Sequence, residues 1–149
     1  MRLFGDKKKD DLTIIVGCGR LGSSIANQLS ANDVNVVVVD DNQDSFRRLS
    51  TSYGGLTFLG DATDIDILKE LNMASANQVI VVTENDNVNI FVGQMAKVMF
   101  NVPKVIVRVY DNDRQPIYAK MGIETICPAE LSAEAVNIIL GGALEGNYE

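Results

Sequence analysis

The sequence predicts an α/β domain built on a doubly wound, parallel six-stranded sheet in the order 3-2-1-4-5-6. Three observations predict it. Short runs rich in Val and Ile alternate with segments whose apolar residues recur at helical spacing. Most of these runs are continuously apolar, as strands buried on both faces are. Between the first run and the first helical pattern lies Gly17-Cys18-Gly19-Arg20-Leu21-Gly22, where such a fold makes a tight turn.

The elements follow in order. Leu12–Val16 is the first strand, and Leu21, Ile25, Ala26 and Leu29 mark the first helix. Val34–Val39 is the second strand, and residues 42–52 form a short helix carrying Phe46 and Leu49. Leu56–Leu59 is the third, followed by a helix with Ile65, Leu68 and Leu71. Gln78–Val82 is the fourth, and a longer helix runs from Val88 through Met99, stopping before Pro103. Lys104–Val109 and Ile123–Ile126 are the fifth and sixth strands, with a helix over Asp113–Met121 between them. A last helix starts at Pro128 and ends at Gly141-Gly142. Its stripe of Leu131, Ala135, Ile138 and Ile139 covers either a second copy of the chain or its own sheet.

With 149 residues, 46% hydrophobic and 22% charged, the chain has the size and composition of one domain. We assign it to 11–141, with polar tails at 1–10 and 142–149. The net charge of −7 argues against nucleic acid, which needs a basic stripe. Lys7-Lys8-Lys9 is followed at once by Asp10-Asp11 and reads as a solvated tail, with a weak membrane-surface contact as the alternative. No segment has secretory length or approaches the ~20 apolar residues of a membrane span, so a cytoplasmic location is expected. Cys18 and Cys127 follow strands three spacings apart, roughly 14 Å at about 4.8 Å each, too far for a disulfide. The absence of histidine removes the commonest general base and metal ligand.

Each glycine of the first turn has a task. Gly17 lets the chain leave the strand, Gly19 lets a phosphate approach the backbone, and Gly22 lets the helix pack on the sheet. The helix start then offers unpaired N–H groups to an anion. Asp40 ends the second strand 18 residues after Gly22, where an acid accepts the hydroxyls of an adenosine ribose. This combination is Rossmann-like. Capping the next helix is the competing role for Asp40, with Asp41 and Asn42 as rivals. Asp40 and Asp41 together disfavour a 2′-phosphate, and so NADP. Arg20 either forks onto phosphate oxygens or faces solvent. Gly60 opens the turn after the third strand, Asp61 and Ala62 fall where an adenine would rest, and Thr63 or Asp64 caps the following helix. Thr83 sits near the phosphate or the second sugar, and Glu84–Asn87 reads mainly as a cap and polar loop.

Taken together, "GCGRLGSSIA", "VVVVDDN", "GDATD", "TENDNVN", "VRVYDND" and "GIETICPAE" resemble the TrkA-N family, also called KTN or the RCK N-lobe. The resemblance covers about residues 11–140. It implies a cytoplasmic, nucleotide-binding regulatory subunit at the inner face of the membrane, gating a potassium transporter or channel through subunit packing. It implies homodimers or rings of dimers. The implied ligand is AMP, ADP or ATP, with NAD(H) left open. At matching positions, Gly17, Gly19, Arg20, Gly22 and Thr83 would line phosphates, Asp40 the ribose, and Asp61 and Ala62 the adenine. Cys18, Leu21, Asp41, Gly60 and Glu84 flank them, and Arg108 matches a basic position near the dimer contact. Two departures stand out. No C-terminal lobe follows in this sequence, so second-ligand regulation through one is not expected. The acid of Pro128-Ala129-Glu130 is displaced by one residue from the family's Pro-Glu pair, so no intersubunit metal is expected.

The rival readings are an NAD-dependent oxidoreductase and a free-standing soluble nucleotide sensor. The first lacks a proton donor: Tyr118 is followed four residues later by Gly122, and Tyr110 by Arg114, so no Tyr-x-x-x-Lys pair exists. No Walker loop is present for ATP hydrolysis either.

Overall fold

A computed structural model of the chain describes residues 11–145. The tail expected at 1–10, and the end of the one expected at 142–149, lie outside the described residues. Six strands, β1 (Leu12–Val16), β2 (Asn35–Asp40), β3 (Leu56–Leu59), β4 (Gln78–Val81), β5 (Lys104–Arg108) and β6 (Ile123–Ile126), form one parallel sheet. Its order is β3-β2-β1-β4-β5-β6, as the sequence predicts. The helices are α1 (Arg20–Ala31), α2 (Ile65–Glu70), α3 (Asp86–Gln94), α4 (Gln115–Lys120) and α5 (Pro128–Ile139).

The central strands are apolar on both sides because the sheet is covered on both. Ile14, Val79, Val81, Val105 and Val107 pack with Leu68 and Val92 on one face. Ile15, Val36, Val38, Ile80 and Val82 pack with Ala26 on the other. A buried Val or Ile contributes about 1.5–3 kcal/mol, so β1 and β4 anchor the fold. This core fixes where the strands' carboxyl ends stand, and so where the loops that follow them meet.

Several boundaries differ from expectation, each for a local reason. β2 starts after Val34 because the Val34 amide bonds Leu29 O (3.1 Å), closing α1. The expected helix over 42–52 is a 3-10 turn, Gln43–Arg48, with Leu49 already extended. Its exit is tied to α1 by Ser50 N donating to Asn27 Oδ1 at 2.9 Å. The long fourth helix is α3 continued by a π-helical segment, Met95–Met99, which Phe100 N closes on Met95 O at 3.2 Å. β3 is not buried on both faces: Leu56 and Leu59 are 67% and 53% exposed. It is an edge strand with only β2 beside it.

The last helix departs most. No residue of α5 is buried, and Ile138 and Ile139 are 72% and 82% exposed. Its apolar stripe therefore does not pack on the chain's own sheet. No helix among the described residues is long and apolar enough to cross a membrane.

Gly22 fixes how closely α1 approaches the first turn: a Cβ there would stand 1.8 Å from Gly17 O. Gly22→Ala should destabilise the domain by about 1–3 kcal/mol, lowering Tm by several degrees in a calorimetric scan. An unchanged Tm would show that α1 can retreat without cost.

Candidate nucleotide-binding cleft

The site is built at the carboxyl ends of the strands, where the order reverses between β1 and β4. Gly17 leaves β1 at φ +105°, and its amide bonds Val39 O at 2.8 Å. A side chain there would press on the backbone of Val82 and Thr83 at 3.0 Å. Gly19 is the N-cap of α1 and supplies no side-chain cap, and the first turn carries no acidic residue. The α-helical ladder begins with Ser23 N on Gly19 O (2.9 Å), so the amides before it are left for an anion. α2 and α3, by contrast, are capped by Asp64 and Asn85. A Cβ at Gly19 would have nothing within 4 Å, so the approach to this turn is open.

Asp40 does not cap the next element; Asn42 does, accepting from Asp44 N at 3.0 Å. Asp40 instead joins two turns. Its Oδ2 accepts from Cys18 N at 2.8 Å and its Oδ1 from Asn42 N at 2.9 Å. Each oxygen keeps a lone pair for a further donor. The 3-10 turn adds Arg47 and Arg48 to the rim, with Arg48 Nη1 donating weakly to Cys18 O at 3.5 Å. Arg47 faces Asp44 at 3.8 Å with both side chains largely exposed, a pair worth little.

After β3, Gly60 N bonds Asp40 O at 3.0 Å, placing the Asp61–Ala62 corner beside the Asp40 turn. Asp61 Oδ1 accepts from both Thr63 Oγ1 (2.7 Å) and Thr63 N (2.9 Å). These bonds, the side-chain one first, hold its carboxyl below its ordinary pKa. Burial, then the Asp40 carboxylate, push the Cys18 thiol up, against a smaller opposing effect of Arg48. Both cysteines are buried and free.

After β4, Thr83 is held by Asn89, which is fully buried. Asn89 Oδ1 accepts from Thr83 N (3.0 Å) and Thr83 Oγ1 (2.5 Å), and Nδ2 donates to Thr83 O and Arg108 O, each at 2.9 Å. Arg108 lies beside them, its Nε and Nη2 donating to Thr83 O at 3.2 and 2.5 Å. Asp86 Oδ2 accepts from Tyr110 N at 2.7 Å.

These loops enclose a cleft of about 1450 Å³, larger than the ~300–1,000 Å³ of a typical ligand pocket. Of the first turn, Gly17, Gly19, Arg20 and Leu21 line it; the Cys18 side chain and Gly22 are buried behind it. Asp40, Asp41, Gly60, Asp61 and Ala62 line one side, and Thr83, Glu84 and Arg108 the other. Sequence reasoning missed Arg47, Arg48 and Asn89. The two arginines follow Asp40 closely enough to have been suspected. Asn89 shows only as a polar residue on the helical stripe that continues with Val92 and Ala96. No group of three or more His, Cys, Asp or Glu among the described residues could hold a metal; Glu130 Oε2 accepts from Asn112 Nδ2 at 3.3 Å.

The family model of the TrkA-N domain matches residues 13–128, from β1 past the last of these loops. The chain belongs to the TrkA-N family. It is 37% identical over 121 residues to the Trk system potassium uptake protein TrkA of Streptomyces coelicolor, covering 81% of this chain and 54% of that one. The chain thus spans about half the length of the curated relatives it matches. Among solved structures, the TrkA-N domain of the inner membrane protein ybaL from Escherichia coli superposes with TM-score 0.77 at 21% identity, over 87% of this chain and 96% of that one. GsuK bound to ADP gives 0.71 at 25% identity, over 93% and 35%. The GsuK channel bound to NAD gives 0.66 at 21%, over 78% and 21%. These TrkA-N and GsuK neighbours share the fold.

Because the folded pKa of Asp61 is lowered, its stabilising effect exists above the ordinary carboxylate range and is lost as pH falls through the folded value. Asp61 is exposed, so that effect is small. Thr63→Val removes the hydroxyl bond but keeps the amide one. The Asp61 titration midpoint, followed by NMR, should rise; an unmoved midpoint would remove Thr63 as the cause.

Proposed function

We propose that this TrkA-N domain is an adenine-nucleotide-binding regulatory module. It gates a membrane potassium transporter or channel by changing how subunits pack when ligand binds. The observation that carries the reading is the uncapped start of α1 facing the same cleft as Asp40.

The first-turn amides and Arg20 take the phosphates, and Asp40 takes the ribose hydroxyls on its remaining lone pairs. Asp61 and Ala62 border the adenine. An adenine mononucleotide is the preferred ligand, because Arg20 and the helix start reward concentrated phosphate charge. NAD(H) is the alternative, and the size of the cleft suits it. NADP is disfavoured, because Asp40 and Asp41 repel a 2′-phosphate. ADP and NAD in the GsuK structures support this ligand class. The relative's role in potassium uptake supports a transporter partner and a cytoplasmic position at the membrane. No catalytic step is assigned to the module.

Gating needs a ligand that prefers one assembly; a tenfold preference is worth about 1.4 kcal/mol. The assembly forms through α5, whose exposed stripe is covered by a second copy of the chain.

Calorimetry with ADP and with adenosine tests the site. Arg20→Ala should weaken ADP about tenfold and adenosine by less than about twofold. Equal losses would assign Arg20 to solvent, and no heat with any adenylate would overturn the nucleotide reading. Sedimentation tests the assembly: the protein should run as a dimer or larger, and Ile138→Asp with Ile139→Asp should shift it to monomer. A monomeric wild type at high concentration, with and without ADP, would overturn α5 as the contact.

A further inference from the structure

Thr83 lies in the loop just after β4, where a hydroxyl could donate to a ligand's phosphate. Its polar atoms are engaged elsewhere. The amide donates to Asn89 Oδ1, the carbonyl accepts from Asn89 Nδ2 and from Arg108, and the hydroxyl lies 2.5 Å from Asn89 Oδ1 against 3.3 Å from Asn85 O. With its proton committed to Asn89 and its oxygen accepting from the Asn85 amide at 3.2 Å, the hydroxyl has no donor left for a phosphate.

Arg108 is the donor that remains. It lines the cleft, and its Nε and Nη2 both grip the Thr83 carbonyl. Among the described residues Nη1 has no hydrogen-bond partner. Gripping one carbonyl through two nitrogens fixes the guanidinium plane, so Nη1 cannot swing freely. The carbonyl is fixed in turn by Asn89, whose two donors and two acceptor bonds are all used. Asn89 Nδ2 also holds the carbonyl of Arg108 itself. One buried amide thus positions both the backbone from which Arg108 projects and the acceptor on which its side chain rests.

We infer that Asn89 is a positioning residue that orients Arg108 as a second cation for the anionic end of the nucleotide, across the cleft from Arg20, and that Thr83 serves as the hinge between them. The inference rests on the nucleotide reading above. It assigns the phosphate preference to two arginines on different elements, one presented by α1 and the other by β5.

The test is a double-mutant cycle read as the ratio of ADP to adenosine affinity, with Asn89→Leu and Arg108→Gln. Each single change should lower ADP affinity about five- to tenfold while adenosine stays within about twofold. The double variant should lose no more than the larger single, because both remove the same contact. Losses that multiply, an unchanged ADP affinity in Arg108→Gln, or equal losses of ADP and adenosine in Asn89→Leu would overturn the inference. If the wild type binds no adenylate at all, the nucleotide reading itself fails, which is a separate result. Should Asn89→Leu not fold, the wild-type protein decides by NMR. The Arg108 Nε–H signal should exchange with water more slowly than that of Arg20 and should move on adding ADP but not adenosine. Exchange as fast as Arg20, or no response to ADP, would overturn the inference.

Discussion

The Asp40 carboxylate sits where two turns meet. One oxygen holds the Cys18 amide and the other the Asn42 amide, so a single side chain sets the spacing between the β1 and β2 exits. The β3 exit joins them through the backbone, with Gly60 N on Asp40 O. Three loops thereby acquire a common reference at the sheet's carboxyl edge. A hydrogen bond to a charged acceptor is worth about 1.5–3 kcal/mol, small beside the core but placed where precision matters.

The opposite side of the cleft uses a different device. There the organising group is neutral and buried, the Asn89 amide, and its partners are the Thr83 hydroxyl and backbone atoms of Thr83 and Arg108. A neutral group suits this depth, because a buried charge would need a compensating partner. One side of the cleft is thus set by a carboxylate near the surface and the other by an amide in the interior.

Much of the fold could be read from the sequence because parallel strands write themselves as continuous Val and Ile runs. The first strand at Leu12–Val16 carries the same bounds in the structure; the edge strands Leu56–Leu59 and Ile123–Ile126 do too, although neither is such a run. The glycine turn and Asp40 were legible because their spacing encodes one geometry. Residues 42–52 were not, since Phe46 and Leu49 fit a helical period equally well whether the turn is α or 3-10. The Asp40 role was half legible: an acid at a strand end announces a turn or a sugar, but the amide of Cys18 is visible only in three dimensions. Asn89 hid because a polar residue within an apolar stripe shows nothing of its four partners. The exposure of α5 hid as well, since an amphipathic pattern names a covered face without naming the cover.

The π-helical segment at Met95–Met99 alters which way its helix looks. Closing a ring on the fifth residue instead of the fourth inserts one residue into a turn, and everything beyond is rotated by the angle of that residue. Upstream, Val92 has no exposed surface; within the segment Ala96 is still buried, but Val98 and Met99 stand 64% and 53% in solvent. A rod of unbroken period would have to keep a single greasy side along its length. With the slip, one continuous segment is part keel and part sail: its first turns are ballast in the core, and its last turn carries oil-loving side chains out into the water.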